Sequence, residues 1–163
     1  MAESKNYATI KPIGQFDKNS CWAASLSWWL KAIEHSNALT QSQLISRFDY
    51  LTNSDGGISI FALKSKIYPS FGMKTVDVSI EKLAGLEVNK PLIIIYNYPE
   101  VGGTHMNVIF ARTIDSSRGI QVGFTVMEPF YPLGGKDGQR TGLFITRPVS
   151  HFTTSSILIA ESN

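Results

Sequence analysis

One cysteine and three histidines are the residues of this 163-residue chain best suited to nucleophilic chemistry. A lone cysteine is by default a small buried hydrophobe, so its neighbours decide how Cys21 is read. From Cys21 to about Glu34 there is no Gly or Pro, and Asn19-Ser20 just before it can cap a helix start. Cys21 then stands at a helix N-terminus, where unpaired N–H groups favour thiolate, the reactive form, over thiol. Gln15 lies six residues upstream, across a loop containing Asn19 and Ser20. A side-chain amide placed beside the Cys21 backbone N–H would make a two-donor oxyanion hole. In a measured case a single such donor is worth about 2.7–4 kcal/mol to a carbonyl oxygen under attack. In isolation a Gln is by default a solvated loop residue.

A nucleophile needs a base within reach, and the sequence offers His35, His105 and His151. His35 shares the helix of Cys21 and lies about 21 Å along its axis, which excludes it. His151 follows Pro148 and sits between Ser150 and Phe152, the setting of an ordinary surface or half-buried residue. His105 opens an apolar strand after the turn-like Gly102-Gly103-Thr104. The strands His105–Ile114 and Gly119–Met127 are separated by the polar turn Asp115-Ser116-Ser117-Arg118. With Ile114 opposite Gly119, counting outward sets His105 directly opposite Glu128. The two Cβ atoms would then be about 4.5–5.5 Å apart. A carboxylate there could fix the imidazole tautomer and support imidazolium. A β-bulge would shift this register by one. Asp115 is in the turn, too far from His105, and Asn107 shares the face of His105 as the reserve orienting residue.

The string Gln15-Phe16-Asp17-Lys18-Asn19-Ser20-Cys21-Trp22-Ala23-Ala24-Ser25 resembles the nucleophile motif of papain-like cysteine proteases, clan CA. Gly103-Thr104-His105-Met106-Asn107-Val108-Ile109 resembles that family's base motif. Ile80–Leu86 followed by Asn89-Lys90-Pro91-Leu92-Ile93-Ile94 looks like the short helix and apolar strand before it. Lys18-Asn19-Ser20 replaces the first Cys and Gly of the disulfide-bonded enzymes. The pattern is more similar to bacteriocin-processing peptidase domains and papain-like effector proteases of plant pathogens. The resemblance runs from about Gln15 to Pro129. It implies Cys21 as nucleophile, His105 as base, Gln15 as oxyanion donor and Glu128 as the third residue. In the family that third residue is Asp or Asn, often followed by Pro. Glu128-Pro129 departs from this by one methylene, which moves the carboxylate by about 1 Å or more and leaves Asn107 as an alternative. The implied activity is a cysteine peptidase (thiol hydrolase) acting on a peptide or protein. A same-fold amidase, deamidase or transglutaminase on peptidoglycan or protein side chains is the alternative. The resemblance also implies a bacterial effector or toxin with an immunity or inhibitor protein as partner, exported by a dedicated secretion system, or else cytoplasmic. No cofactor or metal is implied.

These residues need elements to hold them. Trp22, Leu26, Trp29, Leu30 and Ile33 fall on one stripe of the first helix, and Trp28-Trp29 reads as core against a sheet. Further helices are expected from Thr40 to about Tyr50, near Ser59–Ile67 and over Ile80–Leu86. Strands are expected at Met73–Val78, Pro91–Tyr96, His105–Ile114, Gly119–Met127, Gly142–Thr146 and Ser156–Ala160. Helices first and antiparallel strands second make an α+β, papain-like arrangement, with residues 1–163 as a single domain. A 43% hydrophobic and 11% aromatic content is that of a globular protein, not a disordered one. A net charge of +2 with no Lys/Arg stripe argues against nucleic acid. The polar start Met1–Tyr7 argues against a Sec signal peptide, and the longest apolar run, Pro91–Tyr96, is too short to span a bilayer. A single cysteine allows no intramolecular disulfide, and the usual Cys/His zinc site is not expected.

Overall fold

Helix α1 (Cys21–Ala32) begins at the cysteine, and every residue of it except Lys31 is buried. A helix so enclosed must be covered on all sides, and the sequence supplies the cover in the sheet and the helices that follow. Trp29 donates its indole N–H to the Pro91 carbonyl at 2.7 Å, and Trp28 donates to Ile10 at 3.2 Å while stacking against Phe110 and Phe144. The paired tryptophans therefore pin α1 both to the sheet and to the N-terminal segment. The computed structural model describes residues 6–99, 103–130, 141–152 and 157–163. Met1–Lys5, Gly102 and Ser156, considered above, lie outside the described residues.

Helix α2 (Gln41–Arg47) is shorter than expected. Thr40 and Gln43 close a capping box at its start, and a 3-10 turn, Asp49–Leu51, takes over after Phe48. The expected helix near Ser59–Ile67 is α3 (Ile60–Ala62), capped by Ser59, running on through a π turn (Leu63–Ile67) and a 3-10 turn (Tyr68–Phe71). Gly72 stops it in the left-handed conformation at φ 71°. Helix α4 (Ile80–Ala84) is capped by Ser79.

Among the described residues six strands form one antiparallel sheet: β1 (Met73–Asp77), β2 (Leu92–Tyr98), β3 (Gly103–Asp115), β4 (Ile120–Glu128), β5 (Leu143–Pro148) and β6 (Leu158–Ser162), in the order β1-β6-β2-β3-β4-β5. Alternation along β2 and β3 divides the core. Ile93, Ile95, Met106 and Val108 pack with α1 in one cluster; Ile94, Tyr96, Ile109 and Phe124 pack with Leu83 and Phe152 in another.

The β3–β4 register corrects the sequence expectation. Asp115 pairs with Ile120, so the turn is Ser116–Gly119, with Gly119 at φ 66° and its N–H on the Asp115 carbonyl. Gly119 belongs to the turn because only there is a left-handed residue useful. Asp115 braces the turn by accepting from Ser117 and Arg118. Bulges at Val122 on β4 and Phe110 on β3 offset the ladder once each and cancel, leaving Val108 opposite Met127. One further step sets Glu128 beside Asn107, two residues from the expected pairing with His105. An even slip keeps the same face, whereas a slip of one would have turned Glu128 away.

Candidate functional site

Cys21, His105, Glu128 and Gln15 are brought together, and all four are buried. His105 is the third residue of β3, and its Nε2 lies 2.6 Å from Glu128 Oε2. This contact runs diagonally across the ladder, so the longer arm of Glu is what closes it. A carboxylate only accepts, so Nε2 carries the proton. The ring also interacts with the Cys21 side chain. With Nε2 engaged by Glu128, Nδ1 is the atom turned to the thiol.

Burial works against charge on His105, yet the Glu128 carboxylate and the Cys21 side chain outweigh it and raise its pKa from 6.5 to about 9. For Glu128, burial likewise favours the neutral acid. The His105 charge and hydrogen bond, the Phe130 N–H and the Asn107 amide overcome this and lower its pKa to about 2. The pair is thus held as imidazolium and carboxylate. Asn107, the reserve candidate, is not on the imidazole. It accepts from the Tyr96 hydroxyl at 3.2 Å, donates to the Met106 carbonyl and supports Glu128.

Gln15 sits in a loop fixed at several points. Its N–H donates to the Pro129 carbonyl at 2.9 Å, joining it to the residue after Glu128. Its side-chain Nε2 donates to the Asp17 carbonyl at 2.6 Å, which uses one of its two amide protons. Gln41, at the start of α2, accepts from Phe16 N–H at 3.0 Å and donates to Gly14 O at 2.9 Å, clamping the backbone on both sides of Gln15. Ser20 is the N-cap of α1 but makes no side-chain capping bond, contrary to expectation. Its hydroxyl accepts from Asp17 N–H and so shapes the loop instead of closing the helix end. Asn19 donates to the Asp55 carbonyl and ties this loop to the Asn53–Gly57 turn. A cleft beside Cys21 is lined by Asn19, Trp22, Asp55, Ile58, Thr104 and Met106, among others.

The other histidines are elsewhere. His35 accepts from Asn37 N–H on Nδ1 and meets the Phe71 carbonyl with Nε2. His151 is half-buried and reaches the Tyr96 hydroxyl at 3.0 Å. Three neighbours of the site went unseen in the sequence: Gln41, Tyr96 and Arg147. Arg147 Nη2 donates to Glu128 Oε1 at 2.8 Å. It faces Phe124 across β4–β5, and Phe124 shares a face with Glu128. No local signal marks these residues, because each acts through partners far off in the chain. Among the described residues no group of three His, Cys, Asp or Glu side chains is placed to hold a metal ion, and no helix is long and apolar enough to cross a membrane.

A helix that begins at a buried cysteine and packs against an antiparallel sheet carrying the histidine makes an α+β fold shared with known peptidase domains. Solved structures agree. The peptidase domain of Streptococcus ComA, a bi-functional ABC transporter involved in a quorum sensing pathway, matches with a TM-score of 0.63 at 12% identity, covering 94% of this chain and 99% of that one. The peptidase domain of Streptococcus mutans ComA matches at 0.50 and 13% identity, over 93% of this chain and 97% of that one. At such identities the likeness concerns the fold. No protein-family model and no curated protein sequence matches the chain.

Proposed function

We propose that this protein is a cysteine peptidase that cleaves peptide bonds through Cys21, His105 and Glu128. The observation that carries the reading is the buried His105, hydrogen-bonded at 2.6 Å to Glu128 and interacting with Cys21. With the proton resting on His105 as imidazolium, Cys21 attacks the acyl carbon as the thiolate. The developing oxyanion is held by the Cys21 N–H and the second amide proton of Gln15. His105 then protonates the leaving amine, water attacks the thioester, and the thiol is restored. Glu128 keeps the imidazole in its tautomer and stabilises the imidazolium without itself taking the proton. The folds of the ComA peptidase domains support a peptide substrate. A role as a bacterial effector or toxin, with an immunity or inhibitor partner, rests on the resemblance of the Gln15–Ser25 string.

The test is incubation of the protein and of Cys21→Ala with a proteome-derived peptide library, reading new termini by mass spectrometry. New termini with the wild type alone are expected. Their absence, together with Gln-to-Glu conversion or amine incorporation, would replace the peptidase reading with the deamidase or transglutaminase one.

A further inference from the structure

We infer that Arg147 is a positioning residue for this site, holding the Glu128 carboxylate in the orientation that sets Oε2 on the imidazole. This rests on the function proposed above. Glu128 divides its two oxygens. Oε2 accepts from His105 Nε2 at 2.6 Å and from Phe130 N–H at 3.0 Å, while Oε1 accepts from Arg147 Nη2 at 2.8 Å. Because Glu128 reaches His105 diagonally, its long side chain needs a second point of support. Arg147 provides it from β5, with its own side chain 12% exposed.

Arg147 is held in turn. Its guanidinium lies 5.9 Å from the Tyr98 ring centroid, and Nη1 meets His151 Nδ1 at 3.4 Å. An arginine only donates, so Nδ1 accepts and the proton of a neutral His151 is on Nε2. That proton goes to the Tyr96 oxygen, and the Tyr96 hydroxyl donates to Asn107 Oδ1. The chain Arg147, His151, Tyr96, Asn107 thus runs in one direction and returns to Glu128 through the Asn107 amide. Charge gives Arg147 a second task. When His105 has delivered its proton to the leaving amine, Glu128 would be a lone buried anion, a costly state. Arg147 keeps it paired through both halves of the cycle.

The experiment compares full-length wild type, Arg147→Met, Arg147→Gln and Arg147→Lys. Turnover is measured on a peptide the wild type cleaves, and the His105 imidazole is titrated by NMR. Removing groups that orient a functional imidazole costs about 10- to 100-fold in metal sites, and a similar fall in kcat is expected for Arg147→Met. KM should stay within about twofold, the His105 midpoint should fall, Arg147→Gln should lie between, and Arg147→Lys should recover most of both. Loss of the arginine charge alone, without loss of orientation, would raise the midpoint, so a rise overturns the inference. An unmoved midpoint with kcat tracking only the folded fraction also overturns it. If Arg147→Met does not fold, Arg147→Gln decides by the same two readouts. A wild-type midpoint at the ordinary imidazole value refutes the site reading itself; a raised one that the variants leave unmoved refutes only the part given to Arg147.

Discussion

Replacing Glu128 by Gln tests the arrangement at its centre. The carboxylate is the foremost influence raising the pKa of His105 from 6.5 to about 9, against a burial that lowers it. Two and a half units correspond to about 3 kcal/mol in favour of imidazolium. At pH 7.5 a midpoint near 9 leaves about 97% of the ring protonated, whereas a midpoint of 6.5 or below leaves about 10% or less. Protonation alone therefore lowers turnover about tenfold at that pH. Loss of the tautomer adds to this, and in a serine protease triad the equivalent change costs about 10⁴. The fall should thus lie between about 10- and 10⁴-fold. The amide also leaves the Arg147 cation without its carboxylate, at about 3–5 kcal/mol in stability. The assays are kcat/KM against pH, NMR titration of His105 and chemical denaturation. A Glu128→Gln protein that keeps the wild-type basic limb near pH 9 and its turnover would refute the reasoning.

Glu128→Asp should be impaired as well, despite restoring the residue usual in papain-like enzymes, because the diagonal contact uses the full length of Glu. A loss of about tenfold or more in kcat, with Asn107→Ala much milder, would be read in steady-state assays. Gln15→Ala should lower kcat by about 10²–10³ while leaving the His105 midpoint in place, since it acts on the oxyanion. Gln41→Ala should follow Gln15→Ala in direction, because the clamp on Gly14 and Phe16 is lost, and His105 titration should again be unmoved. Stability should also respond to pH. The folded pKa of His105 lies above its ordinary value, so its contribution is complete below about pH 6.5 and is lost as pH rises towards 9. That of Glu128 is depressed, so its contribution is present above about pH 4.5 and is lost as pH falls towards 2. Denaturation midpoints across pH 2–10 check both limbs.

Elements set by local pattern were legible: the start of α1, the helix starts near Ser59 and Ile80, and the strand from Met73. Cys21, His105 and Gln15 stood out as candidates by their spacing and neighbours, and the fold buries all three. Glu128 was found by a count that misplaced the turn by one residue and so the pairing by two. The count survived because a sheet repeats every two residues, and because the two bulges cancel. Ser20 was read as a side-chain cap from residue type, but its hydroxyl had a nearer partner in the Asp17 backbone. Gln41 and Arg147 could not be read. Their partners lie 25 and 19 residues away, and neither residue type nor periodicity signals such a contact.

The strand order carries a consequence for synthesis in the cell. Strand β6, the last of the six to be made, lies between β1 and β2, and β1 joins the sheet only through it. While a ribosome is still making the chain, Cys21, His105 and Glu128 have all emerged before the sheet can close. Two strand edges wait unpaired until Leu158–Ser162 arrives. Closure of the sheet is therefore delayed until β6 has been threaded between β1 and β2, after the residues of the candidate site have all been made.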